Sequence, residues 1–168
     1  MTQFSVDWSV TGPVMADKYQ PYLEKGLVGS IFNATSVAGI RNLQKIAVEQ
    51  TRLGIPILFG QDVIHGYKTI FPIPLAESCS WDLALMRKTA ELAAREASAD
   101  GINWTFAPMV DITRDARWGR AMEGAGEDPY LGSLIAEARV KGFQGGDNWQ
   151  TLSSPHTLLA AVDRKSVV

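Results

Sequence analysis

Ile57-Leu58-Phe59-Gly60-Gln61-Asp62-Val63-Ile64-His65-Gly66 sets a short, uniformly apolar run directly against a polar turn. An apolar run that short, with no polar alternation, reads as Ile57-Leu58-Phe59 forming a strand buried on both faces, the habit of parallel sheets. Upstream, Ser36 is placed to cap a helix carrying Val37, Ile40, Leu43, Ala47 and Gln50 on one face. Gly54 and Pro56 stop that helix in the usual order, glycine at the end and proline just beyond. Further upstream, Val28-Gly29-Ser30-Ile31-Phe32 is another short strand candidate, and Gly26 closes a helix predicted over residues 17–25.

The same alternation continues downstream. Asp82 caps a predicted helix that runs through Leu85, Met86, Leu92, Ala93 and Ala97 to Gly101, and Trp104-Thr105-Phe106-Ala107 follows as a strand. A polar, glycine-rich stretch over residues 111–128 leads to Asp128 and Pro129, the N-cap and first residue of another helix. Leu131, Leu134, Ile135 and Ala138 share a face of it, with Gly142 near its end. Helices alternating with strands predict an α/β fold with a parallel sheet and right-handed crossovers.

Two α/β architectures compete. A dinucleotide-binding sheet places a glycine fingerprint directly after its first strand, and Phe32-Asn33-Ala34-Thr35-Ser36 holds no glycine. A (β/α)8 barrel places functional residues on the loops after its strands. Gln61-Asp62 and the 111–128 stretch both follow predicted strands. A whole barrel takes about 250 residues, so the expectation is a partial (β/α)8 barrel, roughly its N-terminal half.

Composition removes other classes. The 168 residues carry 16 Lys and Arg against 18 Asp and Glu, which offers no electrostatic footprint for nucleic acid or an anionic membrane. A hydrophobic share of 46% excludes a disordered chain, and the single Cys79 excludes an internal disulfide. His65, His156 and Cys79 make no metal-ligand spacing. No apolar run is long enough to span a bilayer, and Met1-Thr2-Gln3-Phe4-Ser5-Val6-Asp7 shows no signal peptide.

Four motifs stand in register: Asp62-Val63-Ile64-His65-Gly66, the F-P-x-x-L stretch beginning at Phe71, Ala107-Pro108-Met109-Val110-Asp111, and Arg117-Trp118-Gly119-Arg120 leading into Glu127-Asp128-Pro129. Together they resemble the N-terminal barrel domain of family 3 glycoside hydrolases, in the β-glucosidase and β-xylosidase branch. The resemblance implies a fragment of a retaining β-glucosidase that hydrolyses terminal non-reducing β-D-glucosyl or related residues. It implies no cofactor, and a β-glucoside or oligosaccharide as substrate. A non-catalytic carbohydrate-binding module and the N-acetylhexosaminidase branch of the family are the alternatives.

Individual residues follow from the same likeness. It assigns Asp62 to sugar hydroxyls next to the scissile bond, where a carboxylate accepts charge-assisted hydrogen bonds. It places Arg120 in the same subsite, its planar guanidinium orienting hydroxyls. His65, Trp118 and Glu123 are weaker candidates: His65 as a residue packed beneath the turn, Trp118 as loop packing, and Glu123 as the group holding Arg120. The trio Arg114, Arg117 and Arg120 is offset by Asp115, Glu123, Glu127 and Asp128, against a nucleic-acid patch.

Retaining glycosidases need a nucleophile and an acid/base about 5 Å apart. The family's late S-D-[WY] nucleophile motif and its K-H-F-x-x-Y-G strand do not occur in this chain. The chain alone is therefore expected to be inactive. Residues 1–162 are read as a truncated N-terminal barrel domain. Residues 163–168, Asp163-Arg164-Lys165-Ser166-Val167-Val168, are read as a non-native tail. One back-translation, GATCGGAAGAGCGTCGTG, matches a common sequencing adapter. The start is read as truncated too, any leader lost with it, and the resemblance implies a periplasmic or secreted parent.

Overall fold

The computed structural model describes residues 3–5, 7–9, 12–14, 20–34, 36–146 and 156–160. The proposed tail at 163–168 lies outside them, as do residues 17–19 of the first predicted helix. In chain order the elements are β1 (Gln3–Ser5), β2 (Asp7–Ser9), β3 (Gly12–Val14), α1 (Gln20–Glu24), β4 (Ser30–Phe32), α2 (Val37–Lys45) and β5 (Leu58–Gln61). Then come α3 (Pro74–Ser78), α4 (Leu83–Ala99), β6 (Trp104–Thr105), α5 (Pro129–Gln144) and β7 (Leu159–Ala160). They form two compact units, Met1–Gln61 with Asp100–Trp104, and Asp62–Ala99 with Thr105–Val168.

In the first unit β1, β4 and β5 run parallel, with Phe4 beside Ile31 and Ile31 beside Phe59. Ile31 and Phe59 are buried, as a two-sided strand requires. Asn103 brackets Phe59: its side-chain oxygen accepts from the Phe59 amide at 2.9 Å, and its own amide donates to the Phe59 carbonyl at 3.1 Å. Gln44 of α2 does the same for Ile57, accepting at 2.7 Å and donating at 3.1 Å. One side-chain amide thus satisfies both backbone groups of a buried residue just ahead of the strand. Ser36 caps α2, accepting from the Gly39 amide at 3.3 Å. Ile40, Leu43 and Ala47 are buried as the spacing predicts, but Val37 and Gln50 at the ends of that face are exposed. The last turn, Ile46–Gln50, widens into a π-helix, and the Thr51 hydroxyl donates to the Ala47 carbonyl at 2.6 Å.

In the second unit α4 packs on α5. Asp82 caps the former, accepting from the Leu85 amide at 2.9 Å. Asp128 caps the latter, accepting from the amides of Tyr130 and Leu131 at 2.7 and 3.0 Å, with Pro129 in the first turn. The buried face of α5 is Ile135, Arg139, Gly142 and Phe143, rotated from the predicted stripe of Leu131, Leu134, Ile135 and Ala138. Gly142 sets the separation of the pair rather than ending the helix, which Gly145 does at φ +78°. A Cβ at 142 would lie 2.4 Å from the Arg87 carbonyl oxygen and 2.8 Å from Ala90 Cβ. The strand predicted over residues 104–107 is shorter and covers only Trp104–Thr105. Next to β6 in sheet order comes β7. Leu158, just ahead of it, donates to the Phe143 carbonyl at 2.8 Å.

Gly142→Ala in the intact protein should cost about 1–3 kcal/mol in urea unfolding, because a methyl group there overpacks the helix contact. Gly132→Ala, whose Cβ would meet only Ile112 at 3.7 Å, should be neutral or stabilising by up to about 1 kcal/mol.

Candidate functional site

All five residues singled out in the sequence, Asp62, His65, Trp118, Arg120 and Glu123, fall in the second unit. Asp62 is exposed and Val63 beside it is buried, so the chain passes from core to solvent in one step. The Val63 amide donates to the buried Thr105 hydroxyl at 3.2 Å. The Ile64 carbonyl accepts from the Arg139 guanidinium. His65 closes the turn on Phe71, its carbonyl accepting from the Phe71 amide at 2.8 Å and its Nδ1 lying 3.2 Å from the Phe71 carbonyl. A carbonyl opposite Nδ1 places the proton there, so neutral His65 presents Nε2 as an acceptor.

Gly66 at φ +109° is obligatory, since a Cβ would stand 2.0 Å from the Thr69 carbonyl oxygen. Beyond it, Glu96 of α4 accepts from the Lys68 amide at 3.0 Å, the Thr69 amide at 2.8 Å and the Thr69 hydroxyl at 2.6 Å. These bonds, the Thr69 hydroxyl foremost, hold the Glu96 carboxyl below its usual pKa.

The 111–128 loop holds two arginine–carboxylate forks. Arg117 grips Asp115 with Nε at 3.0 Å and Nη2 at 2.6 Å, and its side chain is 90% exposed. Each raises the ionised fraction of the other: hydrogen bonding lowers the Asp115 pKa and raises that of Arg117. Arg120 grips Glu123 through Nε at 2.8 Å and through Nη2, with side chains only 31% and 27% exposed. Trp118 is half-buried, and its backbone links Asp115 to Ala121 through bonds of 3.0 Å on either side.

Behind the turn lies a pair absent from the sequence expectations. Arg139 Nη1 donates to Glu77 Oε2 of α3 at 2.7 Å, and the two side chains are 4% and 5% exposed. The guanidinium also lies 5.9 Å from the Phe143 ring centre. Burial pushes the Arg139 pKa down and Glu77 opposes that shift. A signal was present: Arg139 sits four residues from both Ile135 and Phe143, on the core face of α5. Its partner, 62 residues away, has no local signature.

Residues 2–156 match the Glycosyl hydrolase family 3 N terminal domain. The chain belongs to that family. It is 44% identical over 135 residues to the periplasmic β-glucosidase of Salmonella typhimurium, covering 79% of this chain and 18% of that protein. A lysosomal β-glucosidase of Dictyostelium discoideum is 34% identical, with 73% and 16% covered. Among solved structures, a β-glucosidase from Listeria innocua in complex with isofagomine superposes with a TM-score of 0.83 at 43% identity, over 96% of this chain and 22% of that one. A family 3 β-N-acetylglucosaminidase from Paenibacillus, at 22% identity and TM-score 0.69, speaks to the fold alone. The family's N-terminal domain is a (β/α)8 barrel, and this α/β chain carries part of one. It spans about a fifth of the length of these relatives.

Arg139→Met alone should destabilise the intact protein by about 3–5 kcal/mol in urea unfolding, because it strands Glu77 in the core. Adding Glu77→Leu should restore most of that loss. The depressed Glu96 pKa also has a pH signature. Its contribution is fully present above the ordinary carboxylate value of 4.5 and is lost as pH falls through the lower folded value. The Tm gap between the intact protein and its Glu96→Gln variant should therefore narrow as the pH falls below 4.5.

Proposed function

We propose that this chain is the sugar-holding portion of a retaining β-glucosidase acting on terminal β-D-glucosyl or closely related residues. The observation that carries the reading is the state of Arg120. Its guanidinium is fixed by two bonds to Glu123 while about a third of the side chain stays open to solvent. A donor group already oriented before substrate arrives loses little entropy on binding and discriminates hydroxyl positions. Asp62 supplies the complementary acceptor, directly after β5. Vicinal hydroxyls can donate to such a carboxylate in charge-assisted bonds.

The two carboxyl groups of the reaction come from outside residues 1–168. In this reading the nucleophile attacks the anomeric carbon and the acid protonates the leaving oxygen. Asp62 and Arg120 hold the sugar ring so that its anomeric carbon faces that nucleophile. Residues 1–162 form part of the catalytic barrel and residues 163–168 are foreign to it. The Salmonella relative, a periplasmic enzyme by name, supports a periplasmic or secreted location.

The test is turnover of an aryl β-D-glucoside by the intact protein. Arg120→Ala should lower kcat/KM by the equivalent of about 2–4 kcal/mol, as for a lost hydrogen bond to a charged group in the transition state. Arg117→Lys should leave it nearly unchanged. Absence of turnover, or equal small effects at both positions, would overturn the reading.

A further inference from the structure

A charge sunk into a helix core is a weak device for stability, since a well-packed apolar pair of the same volume does as well or better. Arg139 and Glu77 are therefore better explained by what they orient. The two terminal arms of the guanidinium go to different elements, Nη1 to Glu77 on α3 and Nη2 to the Ile64 carbonyl, two residues beyond Asp62. The group is planar, so the direction of one bond dictates the direction of the other. Glu77 thus aims the arm that holds the turn. Arg139 also lines a cavity of about 10 Å3 together with Ile64 and Glu123, the residue that grips Arg120.

We propose that Arg139, locked by Glu77, is a positioning residue for Asp62: it sets the 62–66 turn by holding the Ile64 carbonyl and does not itself touch the sugar. The inference rests on the reading of Asp62 as a sugar ligand. The bonds at Val63 and His65 go to other groups of the turn. Thr105 holds the Val63 amide, and Phe71 holds His65. Without Arg139, the Ile64 carbonyl would have to rotate toward another donor, and Asp62 would move with it.

The experiment replaces both charges together, Glu77→Leu with Arg139→Met, in the intact protein. The core should remain packed and Tm close to that of the parent. Even so, kcat/KM on an aryl β-D-glucoside should fall about 10- to 100-fold, the scale expected for a misplacement of about 1 Å. Hydrogen exchange of the 62–66 amides should quicken about tenfold while the buried residues of α4 stay protected. Parental kcat/KM at parental Tm would overturn the proposal and leave the pair a packing feature. Should the double variant fail to fold, Arg139→Lys keeps the charge opposite Glu77 with a single ammonium in place of the fork. It should show the same two changes at smaller size, and parental kinetics would likewise overturn the proposal. If the intact protein turns over no glycoside, the functional reading fails by itself, and the exchange measurement still decides whether Arg139 holds the turn.

Discussion

A guanidinium buried almost completely must find partners, because an unpaired charge in a medium of low dielectric costs more than a domain can spare. Arg139 finds two, Glu77 and the Ile64 carbonyl, and they lie 62 and 75 residues away in the chain. Those two bonds join α5 to α3 and to the turn after β5. Apolar side chains tolerate sliding, whereas a planar fork with two acceptors has one good arrangement. Gly142, one turn further along α5, lets the helix sit close against α4.

The loop over residues 111–128 shows how burial divides two arginine–carboxylate forks. Arg117–Asp115 stands in solvent, where water and salt screen the attraction and the pair contributes little. Arg120–Glu123 is sheltered enough for its orientation to persist and open enough to meet a ligand. Two arginines three positions apart thus sit in different surroundings, one fork in solvent and the other half-sheltered. In the proposed reading a sugar, with hydroxyls in place of charge, is the kind of ligand that such a fixed donor would suit.

The turn from Asp62 to Phe71 obeys the same economy. Each of its fastenings satisfies a main-chain group the turn would otherwise leave unpaired: Thr105 at Val63, Arg139 at Ile64, Phe71 at His65 and Glu96 at Lys68 and Thr69. Gly66 permits the reversal that brings Phe71 back onto His65. The turn thus sets Asp62 next to main-chain groups that are fastened at Val63 and Ile64, the placement that the proposed sugar-binding role needs.

Much of this architecture was written locally. The uniform apolar run at Phe59 and the shorter one at Ile31 announced buried parallel strands, and Ser36, Asp82 and Asp128 announced helix starts. Asp62 stood at a strand end, whereas Arg120 was singled out only by the family likeness of its motif. Those signals depend only on neighbours a few residues away, so one dimension suffices to read them. The face of α5 was misjudged because Leu131 and Leu134 look as apolar as any core residue, while Arg139 looks like surface. Its burial follows from Glu77 and Ile64, and no local pattern reveals a partner that far along the chain. The brackets formed by Gln44 and Asn103, and the anchors Thr105 and Glu96, were hidden for the same reason. Pairing a polar group in the core is a property of the folded arrangement, and only the tertiary structure decides which distant atoms come within reach.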